Sequence, residues 1–129
     1  MAGSSGSLHE NEQSLKSGTI DRHRAIVSIM EELEAIDWYD QRVDAATDEE
    51  LKGLLAHNRD EEKEHAAMMI EWLRRRDPAF DEQLRTYLFT EGPILGIEAV
   101  AEAADATDSG DAETPGTGGL GIGSLRDLG

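Results

Sequence analysis

The chain has no cysteine in its 129 residues. Disulfides and thiolate metal sites are therefore excluded, and any metal site must be built from oxygen and imidazole ligands. Basic residues are few: 12 Lys and Arg stand against 28 Asp and Glu, a formal charge of −16. Such a surface repels phosphates, so nucleic acid is not an expected partner, whereas cations are. There is no run of 18 apolar residues, so no membrane span is expected, and the first residues lack the charged-then-apolar layout of a signal peptide. The sequence thus reads as a soluble, cytoplasmic protein, and its length suits one small domain.

Residues 1–18, "MAGSSGSLHENEQSLKSG", are polar and Gly/Ser-rich, and read as a disordered arm. From Thr19 to Ala46 the chain runs without Gly or Pro, which predicts a helix over about 20–46, ~40 Å long at 1.5 Å per residue. Thr47-Asp-Glu-Glu50 has the form of a capping box and opens a second helix over 48–76, stopped by Asp77-Pro78. The connection is so short that the two helices must fold back as an antiparallel hairpin. "FDEQLRTYLF" and "PILGIEAVAEAAD" predict two short helices broken at Gly92-Pro93. The helical domain is thus expected over 19–105, a flexible acidic linker over 106–119 and an apolar tail over 120–129. The fold class is all-α. A lone hairpin leaves its apolar stripe uncovered, and pairing two hairpins about a two-fold axis into a four-helix bundle is the simplest remedy.

Read at steps of three and four, the first helix gives Ala25, Ile29, Glu32, Ile36, Tyr39 and Val43. The second gives Leu51, Leu55, Asn58, Glu62, His65, Met69 and Trp72. Glu32, Glu62 and His65 interrupt these core-like faces, and a carboxylate without a partner is costly there. Ferritin-like di-iron bundles take one Glu from each of two helices and a Glu-x-x-His from each of the other two. This chain carries half of that set, so two copies would supply four carboxylates and two imidazoles, enough to balance two divalent ions. An isolated Glu-x-x-His on so acidic a helix is ordinarily a solvated face. The helix-1 glutamate in register with it turns the reading toward metal. Glu31 and Glu34, beside Glu32, would form with their symmetry mates an acidic vestibule that concentrates cations, or else are ordinary exposed charges.

The hairpin with Glu32, Tyr39 and Glu62-x-x-His65, followed by a tail containing "LGIGSLR", resembles the encapsulated ferritins, ferritin-like cargo proteins of encapsulin nanocompartments. The resemblance implies a ferroxidase centre of two irons per subunit pair, held by Glu32, Glu62 and His65 with Tyr39 beside them. It also implies entry-site roles for Glu31, Glu34 and Trp38, and a ring-shaped decamer built from dimers. Leu120, Ile122, Leu125 and Arg126 would belong to the peptide that docks on the inner wall of the shell, so the protein would work inside that compartment, in the cytoplasm. Two other readings compete. One is a different di-metal protein of peroxidase type, and the absence of cysteine excludes the rubredoxin-type centre that rubrerythrins carry. The other is a non-catalytic helical oligomer whose glutamates are protonated or paired with Arg22, Arg42 or Arg59.

Overall fold

The computed structural model of the chain describes residues 6–110, and every regular element in that range is helical. After a short 3-10 turn at Glu12–Ser14 come α1 (Ser17–Ala45), α2 (Glu49–Arg76), α3 (Pro78–Tyr87) and α4 (Ile94–Gly110). The chain divides into two units, one ending at Arg76 and the other beginning at Asp77.

The first unit is the expected antiparallel hairpin of α1 and α2. Its ends differ in detail from the sequence reading. Within residues 1–18, Asn11 Oδ1 accepts from the Gln13 amide to cap the 3-10 turn, and α1 starts at Ser17 rather than near 20. The expected Thr47 capping box is replaced by a cap one residue later. Asp48 Oδ2 accepts from the Leu51 amide at 2.8 Å, because a carboxylate at this position both satisfies an orphan amide and sits favourably at the positive end of the helix dipole.

Ala25 on α1 and Ala66 and Leu73 on α2 are the buried residues of the hairpin. Two of the three are alanines, whose small side chains let the helix axes approach closely. The α1 stripe matches expectation, with Ala25 buried and Ile29, Glu32, Ile36, Tyr39 and Val43 half-buried. The α2 stripe does not. Leu51 and Asn58 are exposed, while Ala66 and Leu73 hold the seam, so α2 is turned by about one position. A large apolar area stays open: Ile26, Met30, Leu33 and Trp38 on α1, and Leu51, Leu54 and Met68 on α2, are each more than 40% exposed. Helical proteins ordinarily bury an apolar face of this extent by association.

In the second unit Asp77 ends the hairpin and starts α3 at once. Its carboxylate accepts from the Phe80 amide at 3.1 Å, with Pro78 at the first helical position, where a missing amide proton costs nothing. The expected break between the short helices spans Leu88–Pro93, where Gly92 takes φ +91°. Phe89 also takes a left-handed φ, +60°, and its side chain is fully exposed. The final helix continues to Gly110, past the expected linker boundary at 106. Glu98 and Glu102 of α4 lie near enough to Tyr87 of α3 to disfavour its phenolate; with partial desolvation as the larger cause, they raise its pKa.

Candidate metal centre

Glu32 is brought to Glu62 and His65 by the hairpin register. His65 Nδ1 lies 3.8 Å from Glu32 Oε2 across the two helices and 3.5 Å from Glu62 Oε2 one turn away. One ligand atom from each of the three residues falls within 4.8 Å of the others, a spacing that a single cation can span. The two carboxylates are about one-quarter exposed and the imidazole 43%. The turn of α2 toward the Ala66 and Leu73 side explains this difference: His65 sits at the rim of the hairpin rather than in its seam. The trio therefore opens sideways, on a molecule whose apolar residues are also open to solvent.

The donor set suits a hard or borderline divalent ion, with two carboxylate oxygens and one imidazole nitrogen. It is also incomplete for such an ion, which takes four to six ligands. Among the described residues, no lysine or arginine is paired with Glu32 or Glu62, whose ion-pair partner is His65. Arg22 donates to Thr19 Oγ1, and Arg42 lies over the Tyr39 ring, 5.4 Å from its centroid. Arg59 bonds Asp40 and Asp60, each at 3.1 Å. Each arginine that a purely structural reading would pair with Glu32 or Glu62 is engaged elsewhere.

The remaining expected site residues fall into place unevenly. Tyr39 is half-buried on α1, two turns beyond Glu32, on the same stripe. Glu31 and Glu34 are exposed and join no three-residue ligand group among the described residues, and Trp38 is also exposed. Leu120, Ile122, Leu125 and Arg126 lie outside the described residues. A second ligand group was less legible in the sequence: Glu61, Glu64 and His65 also bring ligand atoms within 4.8 Å, and His57 Nε2 lies 3.4 Å from Glu61 Oε1. Its signal in the sequence is His57 and Glu61, one turn apart and able to hold a surface ion, with Glu64 and His65 three and four residues beyond Glu61.

Arg59 marks a further feature that apolar periodicity does not reveal. The side chain is only 23% exposed and crosses from α2 to Asp40 on α1. Asp60 and Asp40, in that order, hold its pKa above the ordinary arginine value, and Arg59 in turn depresses the Asp60 carboxyl.

Several known proteins are similar to this chain over most of its length. A family model described as EncFtn-like matches residues 7–91. The chain is 65% identical over 130 residues to an "encapsulated ferritin-like protein" of Rhodospirillum rubrum, covering 98% of this chain and 92% of the relative. It is 50% identical over 103 residues to a "ferritin-like protein" of Thermotoga maritima, covering 80% and 90% of the two chains. An "encapsulin nanocompartment cargo protein" of Myxococcus xanthus is 38% identical over 106 residues, with 78% and 80% covered. A crystal structure of a protein from Nitrosomonas europaea superposes with a TM-score of 0.66 at 63% identity, covering 67% of this chain and 96% of that one.

Proposed function

Given that the chain belongs to the EncFtn-like family of ferritin-like proteins, we propose that it is a ferroxidase whose di-iron centre forms between two copies. The observation that carries this reading is the half-set of ligands: Glu32, Glu62 and His65 converge on one point at the open rim of the hairpin. A second copy across a two-fold axis would cover Ile26, Met30, Leu33 and Trp38 and bring the matching half-set. Four carboxylates then neutralise two divalent ions, and one imidazole fixes the side of each.

Iron is the substrate. Two Fe(II) give up one electron each, reducing dioxygen to peroxide, or peroxide to two waters, with uptake of two protons. The residues bind and orient the ions and offset their charge. His65 presents Nδ1 toward both carboxylates, so this is the nitrogen offered to the metal. The carboxylates stabilise the higher charge of Fe(III), which lowers the barrier to its formation. Tyr39 stands beside the ions, and Glu31 and Glu34 concentrate cations at the entrance. A structural oligomer is a weaker reading, because Arg22, Arg42 and Arg59 are engaged away from the two glutamates.

The wider role follows from the relatives. The cargo name carried by the Myxococcus xanthus protein and the encapsulated name of the Rhodospirillum rubrum protein support a place for this chain inside an encapsulin shell in the cytoplasm. Residues 120–129 would dock on that shell, with 106–119 as tether and 19–105 as the catalytic domain. The catalytic unit would be a ring of dimers, a decamer, that hands Fe(III) to the shell lumen. The test is to add Fe(II) anaerobically and then admit air. A ferroxidase gives a rise in ferric absorbance well above the rate of Fe(II) in buffer; a rise no faster than buffer sinks the proposal.

A further inference from the structure

Arg59 sits three residues before Glu62 on α2, and both side chains are about one-quarter exposed. This spacing ordinarily pairs a cation with a carboxylate. The same helix shows such a fork with the carboxylate first: Arg74 binds Glu71, three residues before it, with two 2.7 Å bonds. Lys63 and Asp60 also pair at that spacing, as do Arg24 and Asp21. Arg59 and Glu62 do not. Nη1 of Arg59 is taken by Asp40 from α1 and Nε by its neighbour Asp60. Among the described residues, the ion-pair partner of Glu62 is His65.

An arginine fork on Glu62 would compete directly with a metal ion for the same oxygens. We propose that Asp40 and Asp60 are positioning residues that hold Arg59 away from Glu62 and so keep that carboxylate free to bind metal. This rests on the reading of Glu32, Glu62 and His65 as the metal ligands. The geometry argues for restraint rather than a simple tie between helices, because two carboxylates converge on one guanidinium from different directions. Asp60 adds nothing to a cross-helix tie, since it belongs to the same helix as Arg59.

The experiment is an anaerobic equilibrium titration of the full chain with Co(II), read by its absorption bands, with circular dichroism as a check of folding. Asp40→Asn/Asp60→Asn should weaken Co(II) binding by about tenfold, the scale of one charge-assisted pair. Adding Arg59→Gln to that variant should restore binding to within about twofold, whereas adding Lys63→Gln, which changes net charge equally, should not. Arg59→Gln alone should bind Co(II) as well as the wild type or better. A tie between the helices predicts the opposite, namely that Arg59→Gln alone weakens binding, and that result overturns the proposal. So does restoration by Lys63→Gln, which would reduce the effect to net charge. If the double variant melts, Asp40→Asn alone gives the same ordering at about threefold, and no loss there also overturns it. Glu62→Ala separates the two levels of the argument. Its abolition of Co(II) binding leaves the site reading standing whatever Arg59 does, and wild-type binding by Glu62→Ala removes the site and this inference together.

Discussion

Glu32 Oε2 and His65 Nδ1 stand 3.8 Å apart across the hairpin, too far for a formed hydrogen bond and near enough for one cation to span. The residue after His65, Ala66, is buried and the residue after Glu32, Leu33, is exposed. The pair therefore lies on the boundary between the closed seam and the open apolar face. That boundary is where a second copy would meet the first.

Removing any ligand should stop the chemistry. In the proposed site built by two copies, Glu32→Ala, Glu62→Ala and His65→Ala would each delete two ligands. Each should reduce iron oxidation at least tenfold, to near the buffer rate, in a ferric absorbance assay. Full activity in the triple variant would show that oxidation happens elsewhere.

Metal should drive assembly. Four carboxylates brought to one interface repel one another until divalent ions neutralise them. Metal-free protein is expected to be largely monomeric, and Fe(II) to shift it to dimers and larger rings, as seen by size exclusion. Glu32→Ala and Glu62→Ala, which relieve the repulsion, should assemble without metal.

The entrance role proposed for Glu31 and Glu34 is one of delivery. Glu31→Ala/Glu34→Ala should slow oxidation severalfold at low Fe(II) and little at saturating Fe(II), because local attraction matters only when ions are scarce. Equal rates at both levels would make them ordinary surface charges.

The C-terminal end of α2 supplies a pH test. Glu71 accepts from Arg74 and Arg75, which hold its pKa down to about 2 from an ordinary 4.5. A lowered folded-state pKa stabilises the protein above the unfolded value, and that contribution fades as pH falls toward about 2. The melting temperature of Glu71→Gln should lie below that of the wild type at pH 6, and the gap should narrow markedly as the pH is lowered to 2.5. A gap independent of pH would show that the charged pairs contribute nothing there.

Leu120, Ile122 and Leu125 stand among glycines in the sequence. Burying each against a shell would be worth ~1.5–3 kcal/mol, less the ordering of the chain, so one tail would bind weakly and many tails on the proposed ring would bind well. Deleting residues 119–129 should leave oxidation in solution intact and abolish loading into co-expressed encapsulin shells. Copurification of the truncated protein inside shells would move the targeting role to another segment.

Much of the fold, and the convergence of Glu32, Glu62 and His65, was legible in the sequence, for identifiable reasons. Glu32 and Glu62-x-x-His65 stand out because ligand-type residues break two apolar stripes, and Asp77-Pro78 announces both the end of α2 and the start of α3. The hairpin is set by the short link between long Gly-poor and Pro-poor segments. Other features depend on how the helices roll against each other, which periodicity in one helix does not determine. Leu51 and Asn58 fit the α2 stripe as well as Ala66 and Leu73 do, and only packing against Ala25 and its neighbours selects the latter pair. The bond from Arg59 to Asp40 joins residues 19 apart on different helices, so no local pattern marks it. Choice of Asp48 over Thr47 as the cap turns on one residue of backbone phase, below the resolution of a motif match.

The central claim is that two chains build one two-iron site. Native mass spectrometry of protein loaded anaerobically with Fe(II) tests it most directly. The account predicts dimers and multiples of dimers carrying two irons per pair of chains, with no such iron on Glu32→Ala/Glu62→Ala/His65→Ala. One iron retained on single chains, or dimers that carry the same iron without those three residues, would contradict it.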